Sequence, residues 1–188
     1  ARATSSSDEL VREARAHETE HENELALRRY TEALTIDPTS ADAYLGLAAL
    51  RLRLGEPKEA AMVYGAALEH VPSLDAALVG RARARRAAGI RDLAAIDLDA
   101  YAHKTGDTAA FRELARWYEE DGRFAAELAV WRTLADVAVR TQDAALATQA
   151  AKTIRALLAL VKPVDPAAFP AATDATRRAL AHDARRAG

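Results

Sequence analysis

The residues with the clearest capacity for chemistry are His17-Glu18-Thr19-Glu20-His21. On one helix, two histidines four residues apart share a face and can hold zinc, while the glutamate beside the first activates a water for hydrolysis. This pattern defines one reading, a zinc-dependent hydrolase. It requires a single helix running unbroken through His21. Neither Glu24 nor Leu27 adds a third ligand at a known spacing. The plainer reading is a solvated acidic turn from Glu18 to Glu24. A second candidate is the basic run Gly80-Arg-Ala-Arg-Ala-Arg-Arg. Guanidinium forks suit carboxylate recognition, whereas a solvated face paired with neighbouring acids is the commoner use of such a run. His70, His103 and His182 are isolated. Gly46, Gly65, Gly80 and Gly89 are also isolated, so they form no Gly-rich phosphate loop.

Composition narrows the classes. The chain has 188 residues and no cysteine, which excludes disulfides and thiolate metal sites and leaves the redox compartment open. A net charge of −2 argues against general nucleic-acid binding, which needs a strongly basic surface. Half the residues are hydrophobic, but alanine supplies most of them and aromatics only 5%, a balance that favours helices over sheets. No apolar run approaches the ~18 residues of a membrane span. Arginine far outnumbers lysine, which points to a GC-rich bacterial genome. The Ser-rich start, residues 1–6, reads as a flexible leader: a tether behind a removed signal or lipid anchor, or a cut edge. The compartment stays open between cytoplasmic and exported or lipid-anchored.

The elements that position these residues are best seen from Ala41 to Leu74. Apolar and small residues recur there at three and four, as in amphipathic helices. Gly55-Glu56-Pro57 interrupts the run, with Gly55 suited to a left-handed helix end and Pro57 to a first helical turn. The pattern predicts a helical hairpin. A 34-residue offset maps Tyr64 onto Tyr30, Ala60 onto Ala26, Ala67 onto Ala33 and Pro72 onto Pro38. Asp75 opens a third unit with Leu78, Ala82, Gly89 and Ala94, whose pattern fades around Leu98 and Tyr101. Thr108 opens a fourth with Phe111, Leu114, Ala115, Tyr118, Gly122, Phe124, Trp131 and Leu134, where Glu127 replaces a small residue. Ser6 and Glu9 have capping-box spacing, and Ser40 and Ser73 stand where the next helices want caps. Thr141 and Asp143 are expected to cap a last helix running through Leu160.

These spaced residues resemble the tetratricopeptide repeat family, in which Tyr44, Leu47-Ala48, Gly55, Ala60, Tyr64, Ala67 and Pro72 fall at the family's positions. The resemblance implies an all-α, right-handed α-solenoid of about four hairpins over 7–140. A capping helix over 141–162 and a tail over 163–188, mobile or a short Arg-rich helix, would follow. In that register the first helix ends at Glu20 and His21 lies in the turn, which breaks the zinc face; one helix running to Ile36 is the alternative.

The resemblance also implies a non-catalytic adaptor without cofactors, binding a protein or peptide partner in a concave groove lined by the first helix of each hairpin. Carried over residue by residue, the groove uses Arg15, Leu45, Ala49, Leu52, Arg53, Val79, Arg83, Arg86, Arg112 and Arg116. An apolar floor beside arginines suits an acidic segment. The carboxylate clamp of chaperone-binding members is not matched by Val11, Arg15, Gly46, Ala76 and Gly80. Self-association through an exposed repeat face is a further expectation. Arg51, Arg81 and Arg85 fall where the family buries apolar groups, so each must snorkel or find a carboxylate. Trp117, Tyr118 and Trp131 are expected in the core.

Overall fold

The computed structural model describes residues 6–160, and every regular element among them is an α-helix. The expected tail helix and most of the leader lie outside the described residues. The chain divides into two compact units, Ala1–Thr105 and Gly106–Gly188.

The first unit holds three helical hairpins: α1 (Ser7–Thr19) with α2 (Asn23–Ile36), α3 (Ala41–Arg53) with α4 (Pro57–His70), and α5 (Asp75–Ala87) with α6 (Arg91–Thr105). Each helix packs on the next in sequence, and α3 also touches α1 and α5. Two core clusters follow from this order. One joins Leu10, Val11, Ala14, Tyr30 and Leu50; the other joins Tyr44, Ala48, Tyr64 and Ala77. Helix α3 feeds both, so the first two hairpins share a core rather than each holding its own, as in a solenoid.

Local sequence fixes the boundaries. The Ser6 hydroxyl accepts from the Glu9 amide at 3.2 Å, and Ser40 caps α3 through the Ala43 amide. Pro57 begins α4, and Gly55 and Gly89 close their hairpins with φ of 78°. Two expected caps differ. Ser73 does not cap α5: Leu74 holds that place without a side-chain bond, because the chain makes one more turn, with the Asp75 amide donating to the Ser73 carbonyl. Thr141 ends α8, and Asp143 alone caps the last helix, accepting from the Leu146 amide at 2.9 Å.

The glycines of α3 and α5, the first (A) helices of their hairpins, set how closely the hairpins approach. A Cβ at Gly46 would sit 2.4 Å from the Tyr30 ring, and one at Gly80 only 2.3 Å from the Tyr64 ring. Each tyrosine therefore lies against the bare backbone of the next hairpin. Helix α6 stays regular where its sequence pattern fades, and Leu98 is fully buried.

The second unit contains α7 (Thr108–Glu120), α8 (Phe124–Thr141) and α9 (Ala144–Leu160), each packed on the next. Phe111, Leu114, Leu128 and Leu134 fill its interior, with Trp117 and Trp131 buried as expected. Tyr118 is only half-buried and carries the Arg123 guanidinium over its ring at 4.9 Å. Glu127 is buried where the repeat pattern wants a small residue. One of its oxygens takes the Trp131 indole N–H at 3.3 Å and the other has no partner.

Candidate partner-binding face

The α1–α2 turn decides the fate of the histidine pattern. Helix α1 ends at Thr19, and His21 adopts a left-handed backbone with φ of 62°. It stands where the other hairpins place Gly55, Gly89 and Gly122, all of positive φ. The two histidines therefore do not share a helix face, and the helix running unbroken to Ile36 does not form. Glu18 is also committed elsewhere. It accepts the Tyr30 hydroxyl and pairs with the Arg53 guanidinium, so it ties α1 to α2 and α3. Burial, and then this bond to Glu18, push the Tyr30 hydroxyl pKa well above its ordinary value. The geometry that zinc hydrolysis needs is absent from these five residues.

Helices α1, α3 and α5 are successive neighbours, so the corresponding positions of the three lie along one side of the first unit. Leu45 and Leu52 are partly buried and rest on the core of α3–α5; Ala49 and Val79 are also partly exposed. Arg15, Arg53 and Arg83 reach solvent, and Arg86 is half-buried. Arg15 pairs with Asp42 at 3.3 Å and Arg53 with Glu18, while Arg83 and Arg86 have polar or charged partners of their own. An open pocket of about 390 Å³ lies at the start of this side, lined by Arg15, Glu18, Thr19, His21, Asn23 and Arg53. Arg112 and Arg116 are exposed on α7 in the second unit.

The arginines at apolar register positions find carboxylates. Arg81 forms a two-pronged bond to Asp97 at 2.9 and 2.8 Å, and Arg85 adds a third at 2.6 Å. Arg51 reaches Glu56 at 2.6 Å. Asp97 is almost fully buried, and the sequence pattern alone did not single it out. Its one signal is an aspartate beside Leu98 on α6, whose sequence-distant partners are two arginines at apolar register positions.

Residues 19–85 match the tetratricopeptide repeat family model. Over that stretch the chain is similar to tetratricopeptide repeats. Solved structures agree on the fold. MamA from Desulfovibrio magneticus RS-1 is 17% identical with a TM-score of 0.60, over 85% of this chain and 99% of that one. YrrB, described as a tetratricopeptide repeat protein with an unusual peptide-binding site, is 16% identical with a TM-score of 0.56, over 79% and 84%. A tetratricopeptide repeat protein from Parabacteroides merdae is 15% identical with a TM-score of 0.59, over 97% and 65%. No curated protein matches the chain at a significant level. Repeats of this family serve generally as protein-interaction scaffolds and are typically non-catalytic. No described helix is long and apolar enough to cross a membrane.

Proposed function

We propose that this chain is a non-catalytic adaptor that holds a partner polypeptide along the A-helix side of its first unit and so assembles or localises a bacterial complex. The observation that supports the reading is the serial packing of α1, α3 and α5, on which Leu45, Ala49, Leu52 and Val79 and the arginines Arg15, Arg53, Arg83 and Arg86 are all at least partly exposed. Partly exposed apolar side chains supply contact area, and guanidinium groups orient a carboxylate-bearing segment. Arg112 and Arg116 give α7 the same character within the second unit. Because Arg15 and Arg53 are already paired with Asp42 and Glu18, an acidic partner exchanges one carboxylate for another at these sites. Such exchange favours specificity over raw affinity.

The test is charge reversal at residues outside the Tyr30–Glu18–Arg53 link. Proteins cross-linked to the wild-type chain in its native host are compared with those cross-linked to the Arg83→Glu, Arg86→Glu variant, with helicity checked by circular dichroism. A folded variant that captures the same proteins in the same amounts refutes the groove.

A further inference from the structure

The α1–α2 turn breaks the zinc face that the sequence suggests, yet the same break gathers another set of ligands. His17 in the last turn of α1, Glu20 at its C-cap and Glu22 just before α2 place one ligand atom each within 4.8 Å of one another. His17 Nδ1 and Glu22 Oε2 are 2.6 Å apart, so the ring already faces the carboxylate. The left-handed His21 turns the chain so that Glu20 and Glu22 flank the imidazole. We propose that His17, Glu20 and Glu22 form a surface site for a borderline divalent cation, with zinc the best fit.

Three arguments support this choice. First, imidazole with carboxylate oxygens suits zinc and its neighbours in the first transition row, while all-oxygen sets suit magnesium and calcium. Second, the distances close with side-chain movement alone. Ligand atoms on one tetrahedral zinc lie about 3.3 Å apart, given bonds of about 2.0–2.1 Å. The His17–Glu22 pair must therefore open by less than about 1 Å, and Glu20 must swing in, which an exposed side chain can do. Third, the charge balance favours a cation. Two carboxylates face one imidazole at the negative end of the α1 dipole, and among the described residues no ion pair engages Glu20. Three protein ligands leave the fourth position to water. Glu18, bonded to Tyr30 and Arg53, is not among them. The ion would clasp the turn that joins α1 to α2, a structural use distinct from hydrolysis and independent of the groove.

Calorimetric titration of the full chain with zinc chloride tests the site, alongside the His17→Ala, Glu20→Gln and His21→Gly variants. The expected result is one bound zinc, weakened roughly tenfold or more by His17→Ala and by Glu20→Gln and kept by His21→Gly, which removes the second imidazole while keeping the left-handed turn. Zinc should also raise the melting temperature of the wild type and leave that of Glu20→Gln unmoved. Glu20 has no side-chain partner among the described residues, so its variant is expected to fold even if His17→Ala does not. The proposal is overturned if the wild type takes up no zinc, if Glu20→Gln binds as tightly as the wild type, or if His21→Gly costs as much as Glu20→Gln.

Discussion

Replacing Gly46 with alanine should destabilise the first unit, although alanine is the better helix former. The new Cβ would lie 2.4 Å from Tyr30 Cζ, against an ordinary carbon contact of about 3.5–4.0 Å. The ring cannot swing aside: Tyr30 is 1% exposed, and its hydroxyl is held by Glu18. The helices must then separate by more than about 1 Å, and overpacking of this kind costs about 1–3 kcal/mol. Helix propensity returns about 1 kcal/mol. The net expectation is a loss of about 0–2 kcal/mol, centred near 1 kcal/mol. Gly65→Ala is the internal control, since α4 offers nothing within 4 Å of a Cβ there, and it should gain about 0.5–1 kcal/mol. Urea denaturation followed by circular dichroism reads both. In a Tyr30→Ala background the penalty for Gly46→Ala should vanish, because the space it needs is then open. If Gly46→Ala equals or exceeds the wild type in stability, or if Gly65→Ala loses as much, hairpin spacing is not set by the tyrosine-on-glycine contact.

Four further outcomes follow from named contacts. His21→Gly relieves a left-handed cost of about 1–2 kcal/mol and adds about 0.5–1 kcal/mol of unfolded-chain entropy, so thermal denaturation should show a small gain. Asp97→Asn leaves Arg81 and Arg85 short of a buried charge and should cost about 3 kcal/mol in urea midpoint analysis. Burial first and the Glu119 charge second raise the Glu127 carboxyl pKa in the folded chain, outweighing the opposing Trp131 bond. The folded state therefore holds that proton more tightly than the unfolded one, and stability falls as pH rises from about 4.5 through the raised value; Glu127→Gln should remove this slope and be the more stable chain at pH 8. In a double-mutant cycle, Glu18→Ala should couple to Tyr30→Phe by about 1 kcal/mol but to the exposed Arg53→Ala by less than about 0.5 kcal/mol.

The sequence made the helices and their order legible because both are local properties. Gly55, Gly89 and Gly122 end A helices through their own φ, and Pro57 starts α4 through its own ring. The 34-residue offset then repeats those signals until a hairpin array is the economical solution. Polar pairing is harder to read, because it joins residues far apart in sequence whose side chains meet only after packing. Glu18 finds Arg53 across 35 positions and Asp97 finds Arg81 across 16, and no periodicity marks either pair. The five-residue zinc pattern shows the same limit from the other side. Its spacing assumes a helix, and one residue in the left-handed region moves His21 off the face and brings Glu20 and Glu22 to His17 instead. Gly46 and Gly80 sit mid-helix, where sequence alone counts glycine as a weakness; only the rings of Tyr30 and Tyr64 explain them. The same register positions in the next repeat hold Leu98 and Glu113, a smaller side chain and a carboxylate in place of the ring and the bare backbone. The tyrosine-on-glycine contact is thus a property of the first three hairpins, the part of the chain that forms the first compact unit.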